Sequence, residues 1–337
     1  MNRDRRLILI LSVAVAFFLS VTLWGSRGNM NTLTEFFYLL AIAQLWNLLA
    51  GYAGLVSVGQ QAWIGLGAYA LLVSTDDIGL PVIAGFAVAG VVCGLFAIPT
   101  ALLSFRLRGG YFAIGTWVIA EVFRLSVTSS SDWLGGGLGR SITVTRIFDS
   151  PTQRITFIYV IAILLAFGTM ILTQYLMRSK IGIGLTAIRD NEAAAASLGI
   201  NTYRIKFYIF ILCAIGTGMI GGLIALNQIN IVPRSMFSVN WTAFMVFIVV
   251  IGGIGTIEGP IIGTLVFFLI REYLSDFGEW SFIILGVIAV VMMLLAPQGI
   301  WGLIKERIDI EIFPVRRLIS PAWLDSMGNG QQAIGND

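Results

Sequence analysis

Hydrophobic positions along this chain come in long unbroken runs, and the polar positions are gathered between them. The runs cover 7–24, 35–50, 61–75, 80–104, 110–127, 155–177, 205–227, 241–254, 261–275 and 281–296. A bilayer core about 30 Å thick is crossed by roughly 20 apolar helical residues, so the pattern predicts an all-α polytopic membrane protein of about ten transmembrane helices, some of them short. The first run exceeds the roughly 7–15 apolar residues of a signal peptide, and no A-x-A-like site follows it, which predicts a retained span. Residues 1–305 are then the transmembrane domain, and 306–337 a polar tail expected to be partly disordered.

Four runs, 35–50, 61–75, 241–254 and 261–275, look short for full spans and flank two glycine-rich breaks at 51–59 and 252–260. Interrupted helices are tolerated in a membrane where the freed backbone groups meet protein or a water-filled cavity, and transporters place them near the substrate route. Ser57, Gly59, Gln60, Gln61, Trp63, Gly255 and Glu258 are therefore candidate pathway residues. Hydrogen-bonding groups with one aromatic suit the passage of a zwitterion or an amide without holding it tightly. The glycines also have a plainer use. The spacings Gly90-x-x-x-Gly94, Gly218-x-x-x-Gly222 and Gly255, Gly259, Gly263 let helices pack closely.

Composition narrows the class. Of 337 residues, 57% are hydrophobic and only 12% charged, with a mean hydropathy of +0.89; a soluble domain is usually about a quarter charged. There is no histidine, and Cys93 and Cys213 lie in apolar runs, which argues against disulfide scaffolds, Cys/His metal sites and His-dependent catalysis. No paired carboxylates or other catalytic group replaces them, so the chain reads as a non-enzyme. The net charge of +3 comes from loop arginines and gives no nucleic-acid partner. No stretch fits G-x-x-x-x-G-K-[ST], so the chain has no P-loop to cradle ATP.

Charge placement predicts orientation. An inside N-terminus puts Arg3, Arg5, Arg6, Arg106, Arg108, Arg178, Lys180, Arg189, Arg204, Lys206, Lys305, Arg307, Arg316 and Arg317 on the inner side. The outer side receives Arg27, Arg124, Arg140, Arg146, Arg154, Arg234 and Arg271 with the acidic pair Asp76 and Asp77. That bias favours an N-in, C-in protein. The most basic inner loop, 178–206, has no proline from 183 to 197 and an alanine run at 193–196, which predicts one helix there. Gly199 suits its stop and Asn201 or Thr202 the next cap. Its thin face would admit another protein, with Arg189, Asp190, Asn191 and Glu192 supplying polar contacts; a basic helical loop with no partner is the simpler alternative. The outer loop 129–154 is glycine-rich, with alternation at 142–147 that predicts a short strand. It would receive a binding protein or merely cap the helices.

Polar residues inside the runs cost at least about 2.5–3.5 kcal/mol when charged, and so call for a role. They are Gln44, Asn47, Gln60, Gln61, Glu121, Asn227, Gln228, Glu258, Arg271 and Glu272. Glu121 and Arg124 are three apart on one helix face and neutralise each other as an ion pair, although a buried acid such as Glu121 is also the marker of an ion-coupled carrier. Arg271 and Glu272 point in different directions near the outer edge.

The stretch AIRDNEAAAASLGI at 187–200 resembles the cytoplasmic E-A-A loop of ABC importer permeases, and in particular the LivM-type permease subunit of the branched-chain amino-acid (LIV-I/HAAT) importer family. GYAGLVSVGQQAWIGLGAYA at 51–70, LRGGYFAIGTWVIAEVFRL at 107–125, IGGIGTIEGPIIG at 251–263 and PQGIWGLI at 297–304 are similar to the same family, so the likeness covers roughly 35–305. It implies a possible inverted five-plus-five repeat and a coupling loop in which Arg189, Asp190, Asn191, Glu192, Ala193, Ala194 and Gly199 meet the motor. It also implies a second, LivH-like permease as heterodimer, two ABC ATPase subunits that carry the ATP and Mg, and a periplasmic or extracellular substrate-binding protein. The chain itself would need no cofactor. The expected place is the bacterial inner membrane, among its lipids, and the expected solutes are branched-chain amino acids. Urea and short amides, carried by very similar importers, are the alternative. The residues alone leave open an autonomous channel or ion-coupled carrier.

Overall fold

The computed structural model describes residues 3–143, 148, 150–274, 278, 280–307 and 313. Fifteen α-helices are found among them: α1 (Arg3–Trp24), α2 (Arg27–Asn47), α3 (Gln61–Leu72), α4 (Val82–Ser104), α5 (Gly110–Ser129), α6 (Ser131–Leu134), α7 (Pro151–Arg178), α8 (Lys180–Asp190), α9 (Glu192–Ser197), α10 (Thr202–Gln228), α11 (Pro233–Met236), α12 (Val239–Gly252), α13 (Gly259–Leu274), α14 (Trp280–Leu295) and α15 (Gly299–Arg307). Polar residues at the edges of the apolar runs decide where helices start. Ser26, Ser150, Ser179, Asn191, Asn201 and Ser238 each accept a backbone N–H of the first turn they precede, satisfying a donor that the helix cannot.

The ten expected helices occur in order as α1 to α5, α7, α10 and α12 to α14. Among the described residues, seven stretches are long and apolar enough to cross a membrane, including Arg27–Tyr52 and Pro233–Gly252. This corrects the expected shortness of the run at 35–50 and qualifies that of 241–254. The run at 35–50 belongs to a 26-residue helix that starts in polar sequence and ends in a π-helical turn, Leu48–Tyr52; the run at 241–254 gains its length from Pro233 onward. In α2 helical hydrogen bonding continues past both edges of the apolar stretch, whereas α12 itself has 14 residues and reaches 20 only with α11, across an extended Ser238. The helices after each break, α3 and α13, are short. The breaks follow the second and eighth of the ten helices, an offset of six, whereas a five-plus-five repeat places equivalent features five apart.

Helices α2 and α10 form the centre, 83% and 72% buried within their spans. Helix α10 lies against α3 and α4, α2 against α7, and α12 against α13. Lipid gives helices no hydrophobic reason to associate, so close backbone contact carries the packing. At the α3–α10 crossing a Cβ on Gly67 would collide with the Gly218 carbonyl, and Gly218 in turn leaves room for Cys93 of α4. Phe18 of α1 packs edge-on against Phe37 of α2 at 4.9 Å, while Tyr159 of α7 donates to the Phe18 carbonyl at 2.8 Å.

The end of the bundle opposite α8 and α9 carries β1 (Arg140–Ser141), antiparallel to β2 (Asn230–Ile231). The strand expected at 142–147 thus forms two residues earlier. The Thr143 N–H donates instead to Asp76 Oδ2 at 2.6 Å, which takes that donor from any ladder, and residues 144–147 lie outside the described ones. So does most of the tail expected from 306 onward.

Candidate functional site

The last turns of α2 hold both glycine-rich breaks. Gln44 Nε2 donates to the Ile257 carbonyl at 2.6 Å, and Asn47 Nδ2 to the Thr256 carbonyl at 2.7 Å. Asn47 Oδ1 accepts the Gly255 N–H at 2.8 Å, and Trp46 Nε1 donates to the Ser57 carbonyl at 2.9 Å. Where a helix is interrupted away from water, the freed backbone groups must find protein partners; here α2 side chains supply them. The breaks also touch each other. A Cβ on Gly51 would lie 2.6 Å from the Gly255 nitrogen, and Gly255 has φ +75, a left-handed conformation that an L side chain rarely adopts. The π-helical turn just before, an element frequent at functional sites, delivers Gly51 to this contact.

The sequence-predicted pathway residues distribute around this junction. Ser57 is buried and its hydroxyl accepts the Gly59 N–H at 3.2 Å. Gly59 abuts the Thr116 carbonyl of α5, while the Val58 N–H donates to Thr116 Oγ1 at 3.2 Å. Gln61 Oε1 accepts the Thr242 hydroxyl of α12, and Gln60 is buried with its Nε2 unpartnered among the described residues. Trp63 is a core side chain, edge-on to Phe210 at 5.9 Å and close to Phe123. Glu258, 7% exposed, accepts the Phe313 N–H at 2.8 Å and so ties a tail residue beneath the second break. Thr116, Thr242 and Trp46 escaped sequence reading, because a lone hydroxyl or indole within an apolar run carries no local signal. Gln44 and Asn47, as amides in an apolar run, did carry one.

The loop 178–206 reaches this junction. Its expected single helix over 183–197 is two helices, broken at Asn191, which sits at φ −160, ψ 107. The Asn191 side chain accepts the Ala194 N–H at 3.0 Å, and such local capping competes with continued helix. The stop at Gly199 is as expected. Gly199 has φ +82, its N–H donates to Ala196 and the Ile200 N–H to Ala195, a Schellman closure. Helix α8 buries Gly182, Gly184, Leu185 and Ile188, leaving Arg189, Asp190, Asn191, Glu192, Ala193, Ala194 and Gly199 exposed. Arg189 still touches the bundle, its guanidinium 3.2 Å from where a Gly255 Cβ would stand. Glu192 pairs with Lys206 of α10 at 2.7 Å.

At the far end Arg140 donates to Asp77 Oδ2 at 2.9 Å, pinning the strand segment to the end of α3. That hydrogen bond holds the Asp77 carboxyl below its ordinary 3.8, against a smaller opposing effect of burial. A cavity of about 500 Å³ opens nearby, lined by Arg234, Ser235, Ser238, Asn240, Trp241 and Phe244. Two further charged pairs involve the apolar runs: Arg124 Nε donates to both Glu121 oxygens at 2.9 Å, and Arg271 binds Glu35 of α2.

Comparison with known proteins follows the same lines. Residues 28–297 match the family described as branched-chain amino acid transport system, permease component. The chain is 30% identical to the high-affinity branched-chain amino acid transport system permease protein LivM of Escherichia coli K12, over 90% of this chain and 76% of that protein. It is 28% identical to LivM of Salmonella typhimurium over the same shares, and 26% identical to the LivH permease of Escherichia coli K12 over 81% of this chain and 94% of LivH. No solved structure matches.

Proposed function

The chain belongs to the family of branched-chain amino acid transport permease components, and on that premise we propose that it is the membrane-spanning permease subunit of an ATP-binding-cassette importer for branched-chain amino acids. It is a multi-pass membrane protein; we place it in the bacterial inner membrane with both ends inside, as its Lys and Arg distribution favours. One observation carries the reading. The α8–α9 knob, exposed from Arg189 to Ala194 among the described residues, touches through Arg189 the point where the two breaks meet.

ATPase subunits on separate chains, holding ATP and Mg²⁺, would dock on the exposed surface from Arg189 to Ala194 and at Gly199. Movement of α8 would then press on Gly255 and through it on Gly51, shifting breaks held by a few side-chain hydrogen bonds and leaving the packed helices intact. A LivH-like permease would complete the pair. A substrate-binding protein would deliver solute to the end bearing β1 and β2.

The test is the complete complex in proteoliposomes, with Glu192→Ala and Gly199→Val. Glu192 is 54% exposed and its partner Lys206 13%, so losing this half-buried pair costs on the order of 1–2 kcal/mol, and a left-handed valine costs roughly 1–2 kcal/mol; both variants should insert normally. Hydrolysis of ATP stimulated by the leucine-loaded binding protein should fall several-fold. Stimulation equal to the native complex in both would refute docking at this loop.

A further inference from the structure

Helix α5 is among the least covered spans, 22% buried inside the subunit. Its uncovered residues Ile114, Trp117, Val118, Glu121, Val122 and Leu125 follow the spacing i, i+3, i+4, i+7, i+8, i+11, one continuous stripe. Glu121 sits at the centre of that stripe. With a rise of 1.5 Å per residue it lies within about 3 Å of the midpoint of the 20-residue helix, the depth where charge is least tolerated by lipid. The side chain of Glu121 is 46% exposed and that of its partner Arg124 27%. Helix α14, covered even less at 17%, presents Ile283, Val287, Val290 and Leu294 and suits hydrocarbon; the stripe on α5 does not. Thr116, which receives the first break through Val58 and Gly59, lies on the opposite, buried face of the same helix, so the stripe and the break share one rigid element.

We propose that the Glu121–Arg124 pair is a zwitterion-recognition site on the solute route, on a face of α5 that meets water and not lipid. The inference rests on the permease reading above and names the chemistry of that route. A free amino acid carries an ammonium and a carboxylate a few ångströms apart; Glu121 answers the first and Arg124 the second. Exchanging the internal pair for two external ones keeps every charge compensated and the sum at zero, so the solute passes without stranding a charge at mid-depth. An uncharged amide or sugar gains nothing from the exchange.

The experiment uses the complete complex reconstituted with its binding protein. The native cysteines, Cys93 and Cys213, are fully buried, which leaves a quiet background. Val122→Cys should react with a charged, membrane-impermeant methanethiosulfonate at least tenfold faster than Val287→Cys on α14, and leucine with ATP should slow that reaction. Glu121→Gln and Arg124→Gln should each cut leucine import at least tenfold, with Arg124→Lys retaining part of it. Labelling of Val122→Cys no faster than Val287→Cys, or import by Glu121→Gln within twofold of native, would overturn the proposal while leaving the permease reading standing. If Glu121→Gln fails to assemble, the labelling and its protection by leucine decide alone. A native complex that imports no leucine would instead defeat the permease reading, and this inference with it.

Discussion

The two glycine-rich breaks are built from similar material and fastened to the same helix, yet they connect to different parts of the molecule. The first, 51–59, leans sideways on α5 through Thr116 and hangs from α2 by Trp46. The second, 252–260, is tied to α2 by the amides of Gln44 and Asn47 and touched from outside by Arg189. One break therefore borders the buried face of α5 and the other borders the exposed loop. They meet at Gly51 and Gly255, so a displacement entering at one has a short mechanical path to the other. Holding irregular backbone by side-chain hydrogen bonds, with helices continuing on either side, lets it change shape without unpacking the core.

The largest expected effect tests the shared anchor. Asn47→Leu leaves the Gly255 N–H and the Thr256 carbonyl without partners, at about 1–3 kcal/mol each; a lowered thermal midpoint of the purified complex and loss of import are expected. Next, Gly255→Val places a side chain in the left-handed region against Gly51 and Arg189, costing roughly 1–2 kcal/mol. Stimulated ATP hydrolysis and import should become uncoupled, measured side by side in proteoliposomes. Thr116→Val removes the acceptor of the Val58 N–H, with a cost of about 1–2 kcal/mol. If the first break serves the solute route, import should drop while stimulation of the ATPase persists; loss of both together would erase the distinction between the breaks.

The smallest effect lies at the far end and depends on pH. The Asp77 carboxyl titrates below 3.8 in the folded chain because Arg140 hydrogen-bonds to it. Its contribution is present above the unfolded value and fades as pH falls through the lower folded one. Hydrogen exchange of 140–143 should therefore rise in acid below about pH 4, and Asp77→Asn should show the faster exchange already at neutral pH, with no change in ATPase coupling.

Local signals were legible where the physics is local. Asn201 became a cap, Gly199 became a C′ residue, and the i, i+3 pair Glu121–Arg124 formed as read. The single helix expected over 183–197 failed at Asn191, where a side chain outcompeted helix propensity. Glu258, read as part of the route, is occupied by the Phe313 N–H, a partner 55 residues away that no spacing rule supplies.

Taken by itself, the sequence determined an all-helical membrane protein, the order of its ten main helices, the positions of its two breaks and the exposed loop between α7 and α10. Run length and capping are properties of neighbouring residues, so they can be read in one dimension. Which residues meet was decided only by the tertiary structure: Gln44 and Asn47 reach partners 213 and 209 positions away, and the stripe on α5 is uncovered because no helix among the described residues lies against it. A helix that is apolar on all sides does not announce which side faces protein, lipid or water. That choice is made by the packing of helices far apart in the chain.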